Sequence, residues 1–342
     1  MLLSVVNWAW FLTALSQTQS VEAMPIWKQI EPSVVTLLNA DQKVGAAALI
    51  DDAGLFLAHR SQLPLSELTA RFSDGRSFRV RLVTTDDPTQ LSLLQASEWQ
   101  AGKYRIVATV NTSPSLGNQP MRANIQRVEA PVLAVLPDGR PMRAELVGSG
   151  KIGIVNPARR VMTLSEYRFE SPPQSVGGAL LFSMDGRLLG VLGATLEPEA
   201  YSSQRAIPQG FGGGGGLNMS KSTQNFGPGA LTVGFSIGPE ILERVVEGFR
   251  SPSREVEHPA LGILCKDSLN PQGALIESVL PKSPAEQANL TAGDVIVELD
   301  GFAINTQIDY AKAMLRQRVG NKVRLKVSRN GAPLTIWVTV GK

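Results

Sequence analysis

Between residues 24 and 238 the chain is a succession of short apolar runs, and their spacing restricts the fold more than any other feature. Val34-Val-Thr-Leu-Leu38, Val44-Gly-Ala-Ala-Ala-Leu-Ile50, Leu68-Thr-Ala-Arg-Phe72 and Phe78-Arg-Val-Arg-Leu-Val83 are each bounded by Gly, Asp or Pro. Runs this short do not carry an amphipathic helix, but they suit strands. Asp74-Gly75 and Asp138-Gly139 are hairpin signals, because glycine supplies the left-handed backbone that tight hairpin turns require. The expectation is a mainly β unit built as a barrel or sandwich.

The chain has 342 residues, room for two or three domains. Apolar residues at 43% and charged residues at 18% describe a globular protein rather than a disordered one. The net charge of +3 is spread along the chain with no dense Lys/Arg run, which argues against a nucleic-acid partner. Residues 1–23 open with the apolar stretch Met1-Leu-Leu-Ser-Val-Val-Asn-Trp-Ala-Trp-Phe-Leu-Thr-Ala-Leu15 and end at Val21-Glu-Ala23. They read as a secretory signal, or alternatively as an uncleaved N-terminal anchor, and in either case as an extracytoplasmic address. The stretch is shorter than the ~20 residues that span a bilayer, and no basic residue precedes Lys28. Cys265 is the single cysteine, so no disulfide framework exists; it reads as a buried, inert thiol.

A helix is predicted from Gly238 to Arg250, with Pro239 in the first turn and Ile241, Leu242, Val245, Val246 and Phe249 on one face. Residues 251–258 then read as a polar linker. The glycine-rich stretch 209–229 has Lys221-Ser222 at phosphate-loop distance from Gly215. Ser220 stands where that motif needs glycine and no apolar-periodic helix follows, so it reads as a surface loop. No cofactor or metal is implied.

Four further segments carry a resemblance. Ser171-Pro-Pro-Gln-Ser-Val-Gly-Gly-Ala-Leu180, followed by Asp185-Gly186 and Leu188-Leu-Gly-Val-Leu-Gly193, resembles the nucleophile loop of HtrA-type, trypsin-like serine proteases, Gly-Asn-Ser-Gly-Gly-Pro-Leu. Aligned on Gly177-Gly178, the nucleophile position holds Val176. The run from Ala48 to Ser61 resembles the strand that ends in the catalytic histidine, and that position holds Ser61. Asp87-Pro-Thr-Gln-Leu-Ser-Leu-Leu94 resembles the aspartate segment, with Gln90 in the aspartate's place. Thr232-Val-Gly-Phe-Ser-Ile237 resembles the segment that closes the protease domain.

The resemblance implies a chymotrypsin-like pair of six-stranded barrels, roughly 30–105 and 118–238, within a protease domain spanning 24–250. A serine needs an imidazole base, and the imidazole needs a carboxylate. Ser61, Gln90 and Val176 supply none of the three groups, so no catalytic residue is expected. One alternative keeps an active endopeptidase with a shifted pair, His59 and Ser175. His59 is two residues early, which displaces its ring by about 6.6 Å along a strand.

Residues 259–342 resemble a PDZ domain of the HtrA-associated type. The matching pieces are Ala260-Leu-Gly-Ile263, Gly273-Ala-Leu-Ile-Glu-Ser-Val279, the run from Ser283 to Ile296, Asp300-Gly301 and the run from Val323 to Gly331. Such a module takes a partner's C-terminal peptide, or an unfolded peptide, as an added strand. Here the carboxylate loop would be Leu261-Gly262-Ile263 and the edge strand Ile263-Leu264-Cys265. Tyr310 and Met314, one helical turn apart, either line the pocket for the terminal side chain or belong to the core. The resemblance further implies a homo-oligomer, a trimer by analogy, and an active homologue as a possible partner.

Overall fold

The computed structural model describes residues 25–64, 67–109, 130–155, 160–169, 177–193, 196–198 and 232–342. Helix α1 (Pro25–Ile30) leads into β1 (Val34–Asn39), β2 (Gln42–Asp51), β3 (Leu55–His59), β4 (Leu68–Arg71), β5 (Ser77–Asp86) and β6 (Leu91–Ala96). These six strands close into a barrel in the order β1-β2-β3-β6-β5-β4. Leu37, Ala47, Leu49, Phe56, Ala58 and Leu94 fill its interior. The alternate residues Ala46, Ala48, Ile50, Leu55, Leu57, Leu91 and Leu93 face outward and are just as buried, in a second core. That explains the near-continuous apolar runs of β2 and β3: a strand covered on both faces has no polar side to show.

The second core is shared with the next unit. It contains β7 (Ala108–Thr109), β8 (Ala130–Val135), β9 (Pro141–Val155), β10 (Arg160–Phe169), β11 (Leu180–Ser183), β12 (Arg187–Val191), β13 (Leu196–Pro198) and β14 (Thr232–Ile237). They form one eight-stranded sheet, ordered β14-β10-β9-β8-β11-β12-β7 with β13 on β9. Six strands were expected; the extra pair are the two-residue β7 and the three-residue β13, too short to show any period. Leu133, Val135, Leu164, Leu180 and Phe182 meet the outer face of the barrel in the shared core. Helix α2 (Pro239–Arg250) seals it with Ile241, Leu242, Val245, Val246 and Phe249, all buried.

Residues 251–258 are held against the body. Arg254 Nη1 donates to Phe249 O at 2.7 Å, Val256 packs on the shared core, and His258 Nε2 lies 2.7 Å from Asp86 Oδ1 of the barrel.

The last unit comprises β15 (Ile263–Leu269), β16 (Gln272–Val279), α3 (Pro284–Gln287), β17 (Val295–Leu299), β18 (Phe302–Ala303), α4 (Gln307–Leu315), β19 (Lys322–Arg329) and β20 (Ala332–Thr339). Its sheet runs β15-β16-β17-β19-β20, with β18 on β17, so β15 is an edge strand. Leu261, Ile276, Leu290, Ile296, Met314, Val323, Leu325 and Val338 form a separate core. Asn289 takes the left-handed backbone, φ 57°, that its short polar side chain tolerates.

Arg244 of α2 joins this unit to the rest. Its Nη2 donates to Leu315 O at 2.8 Å and to Gln317 O at 3.3 Å, satisfying carbonyls at the C-terminal end of α4 that the helix itself leaves unpaired. Arg318 adds an exposed ion pair with Glu247. Arg244→Met is expected to cost about 2 kcal/mol in urea unfolding, since it removes charge-assisted bonds and leaves part-buried carbonyls unpaired. A variant within about 0.5 kcal/mol of the parent would contradict this role.

Candidate functional site

The β3 and β6 strands place the expected histidine and aspartate positions side by side. His59 pairs with Leu91 in register, and one residue on, Arg60 N donates to Gln90 O at 2.8 Å. Ser61 thus sits in the short turn Arg60–Gln62 beside the turn that carries Gln90. Both side chains have partners close in sequence. The Ser61 Oγ lies 2.8 Å from His59 Nδ1, and the Ser61 N–H donates to the same nitrogen at 3.3 Å. Gln90 adopts φ 58° and donates its amide to Asp87 O at 2.7 Å, within its own turn.

His59 is 2% exposed. Because Nδ1 accepts from the Ser61 N–H, the proton of the neutral ring lies on Nε2, which meets no partner among the described residues. Burial alone pulls its pKa down to about 4. Such an imidazole is a weak base, and with no carboxylate at Nε2 its imidazolium is unsupported. His59 thus caps the short turn Arg60–Gln62 through Nδ1.

The nearby carboxylate is Asp86, and it is occupied elsewhere. It accepts Thr89 N at 3.2 Å and Thr89 Oγ1 at 2.5 Å, and pairs with His258. Asp86 and His59 are each opposite Leu91 on neighbouring strands. They share a face but stand two strand spacings apart, about 10 Å. Sequence reasoning placed His258 outside the protease unit; the pairing depends on where residues 251–258 are held, and no local pattern signals it.

Gln62 is the polar residue that the sequence reading missed. It is 7% exposed, accepts Ala46 N with Oε1 at 3.3 Å, and donates Nε2 to Gly177 O at 3.1 Å. Its side chain fills the space beside Gly178, which holds φ 84° and has no room for a Cβ. The Gly-Gly pair is thereby tied to the barrel. Val176 and Ser175 themselves lie outside the described residues, as do residues 1–24 and the stretch 209–229.

The second candidate site is the groove between β15 and α4. Gly262 holds φ 75°, and a Cβ there would strike Ser283. The loop carbonyls are turned inward: Leu280 N donates to Gly262 O and Ala285 N to Leu261 O. The Leu261 and Gly262 N–H groups meet no acceptor among the described residues. Beyond the loop, Leu264 is 61% exposed, whereas Ile263 and Cys265 are half-buried against the core. Met314 is 6% exposed and belongs to the core, and Tyr310 packs against it. Burial raises the Tyr310 phenol well above its ordinary range. Burial, with a smaller contribution from Glu277, pushes the Cys265 thiol up to about 12, which disfavours the thiolate. No group of His, Cys, Asp and Glu among the described residues could hold a metal ion.

Comparison with known proteins agrees with this architecture. The PDZ domain family matches residues 259–340. The "Probable periplasmic serine endoprotease DegP-like" of Halomonas elongata is 28% identical over 244 residues, covering 61% of this chain and 51% of that protein. The "Periplasmic pH-dependent serine endoprotease DegQ" of Escherichia coli is 26% identical over 291 residues, covering 80% and 53%. The chain spans about half the length of the curated relatives it matches. Among solved structures, the HtrA-type protease AlgW with decapeptide superposes with a TM-score of 0.60 at 17% identity, covering 92% of this chain and 97% of that one. The serine endoprotease from Yersinia pestis gives 0.52 at 18%, covering 92% and 96%. The chain thus has HtrA/DegP-type serine protease homologues, and its fold is trypsin-like barrels followed by a PDZ domain.

Proposed function

We propose that this chain is a catalytically silent protease homologue that binds peptides through its PDZ domain in an extracytoplasmic compartment, as a regulatory or chaperone-like factor. One observation carries the reading. At the position where the relatives' resemblance calls for a base, the Ser61 hydroxyl is bonded to the buried His59, while Gln90 spends its amide on its own turn. Val176 at the nucleophile position is consistent with the same loss. The periplasmic names of the relatives and the apolar start of the sequence support export. No helix among the described residues is long and apolar enough to cross a membrane. Oligomerisation, and pairing with an active homologue, follow from the same resemblance.

The full chain is expected neither to cleave unfolded casein nor to be labelled by a fluorophosphonate probe. Labelling that vanishes on Ser175→Ala or Ser61→Ala would overturn the reading in favour of an active enzyme. In the PDZ groove, amidation of a bound peptide's C-terminus is expected to weaken binding about tenfold or more, because the carboxylate charge facing the Leu261 and Gly262 N–H groups is lost. Equal affinity for free and amidated ends would remove carboxylate capture.

A further inference from the structure

The peptide groove has a bridge across one end. Asp267, the fifth residue of β15, accepts the backbone N–H of Gln307, the first residue of α4, at 2.7 Å. The two elements bonded here are the two walls of the groove. At the opposite end lies the Leu261-Gly262 loop, whose N–H groups meet no acceptor among the described residues. Asp267 alternates in phase with Ile263 and Cys265, the β15 residues packed against the core, and its carboxylate reaches the helix from that face.

The bridge is separate from what starts the helix. Thr306 Oγ1 accepts Asp309 N at 3.1 Å as the N-cap, and Asn305 N donates to Asp309 Oδ2 at 3.2 Å. The helix therefore keeps its own cap if Asp267 is removed. The Asp267 bond is an additional contact whose particular effect is to join β15 to α4.

We propose that the Asp267–Gln307 bridge is a length stop, which limits the added strand to about four ligand residues ending in a free carboxylate. This rests on the peptide-binding reading of the groove. An antiparallel ligand with its carboxylate at the Gly262 loop lays successive residues opposite Ile263, Leu264, Cys265 and Lys266. The next residue meets the bridge. The ligand must leave the sheet edge there, so residues further from its terminus add no ladder bonds. The partner class is an exposed C-terminus recognised by its last few residues, whatever precedes them.

The test uses the full chain and fluorescent peptides. The strongest binder from a randomised octapeptide library with free C-terminal carboxylates is truncated from its N-terminus, with each product acetylated. For the parent chain, affinity is expected to rise up to the tetrapeptide and then stay within about twofold to the octapeptide. Asp267→Ala is expected to open the end, so that the octapeptide binds about fivefold or more tighter than the tetrapeptide. Asp267→Asn keeps an acceptor oxygen for Gln307 N and is expected to restore the plateau, which separates the bridge from the charge. A parent affinity that keeps climbing about fivefold or more beyond the tetrapeptide overturns the stop. So does an Asp267→Ala profile that stays flat. Failure of any free-carboxylate peptide to bind the parent is a different result, and it overturns the peptide-binding reading itself.

Discussion

Acidification from pH 7 to pH 4 is expected to remove about 3 kcal/mol of stability through one side chain, His59. Its pKa falls from 6.5 to about 4 on folding, because the ring is buried where a charge is poorly solvated. The sign follows from proton counting. Between pH 6.5 and 4 the unfolded chain binds a proton at His59 that the folded chain does not, so stability is full above 6.5 and declines as pH falls towards 4. Replacement by an apolar side chain removes the titration and leaves only the exposed Ser61 without its partner. His59→Leu is therefore expected to stay within about 1 kcal/mol of the parent at pH 7 while losing the extra decline. Urea unfolding of both chains at pH 7, 5.5 and 4 isolates the effect, since carboxylates common to both cancel. Parallel pH profiles would show that the ring is not the source.

Gly178→Ala is expected to cost about 2–5 kcal/mol, from two additive causes. An alanine at φ 84° is strained by about 1–2 kcal/mol. Its Cβ also falls on the Gln62 amide, and moving that buried amide breaks its bonds to Ala46 N and Gly177 O, at about 1–3 kcal/mol for the groups left unpaired. The two causes separate in a double-mutant cycle. With Gln62→Ala as background the collision disappears, and Gly178→Ala should cost only the backbone strain. An undiminished cost in that background would place the conflict somewhere other than Gln62.

Much of the fold could be read locally. The runs Ala46–Ile50 and Leu55–Ala58 became β2 and β3, and Pro239 with its apolar stripe became α2. The edge strand and loop of the PDZ domain also lie where their sequence pieces suggested. Ser61 and Gln90 stood at the expected histidine and aspartate positions, but the contacts they make were not legible. Their partners, His59 Nδ1 and Asp87 O, are set by turn geometry. The long-range polar contacts were harder still. Gln62 meets Gly177 across 115 residues, Arg244 meets Leu315 across 71, and His258 meets Asp86 across 172. Periodicity reports which face of an element is buried, but it carries no information about which distant polar group will complete a bond. Met314 illustrates the converse, since helical spacing fixed its face and burial then assigned it to the core.

A Ser/Pro/Glu-containing stretch between two domains is usually a leash, and a leash sets only how often its two ends meet. Residues 251–258 are bonded at Phe249 and again at Asp86, and Arg244 grips the far end of α4. The connection works as a splint. On the proposed peptide-binding reading, a peptide end in the groove would be presented at one bearing to the barrels. Reach is surrendered for aim, and on that reading a partner tethered by its terminus would meet a single face of this molecule.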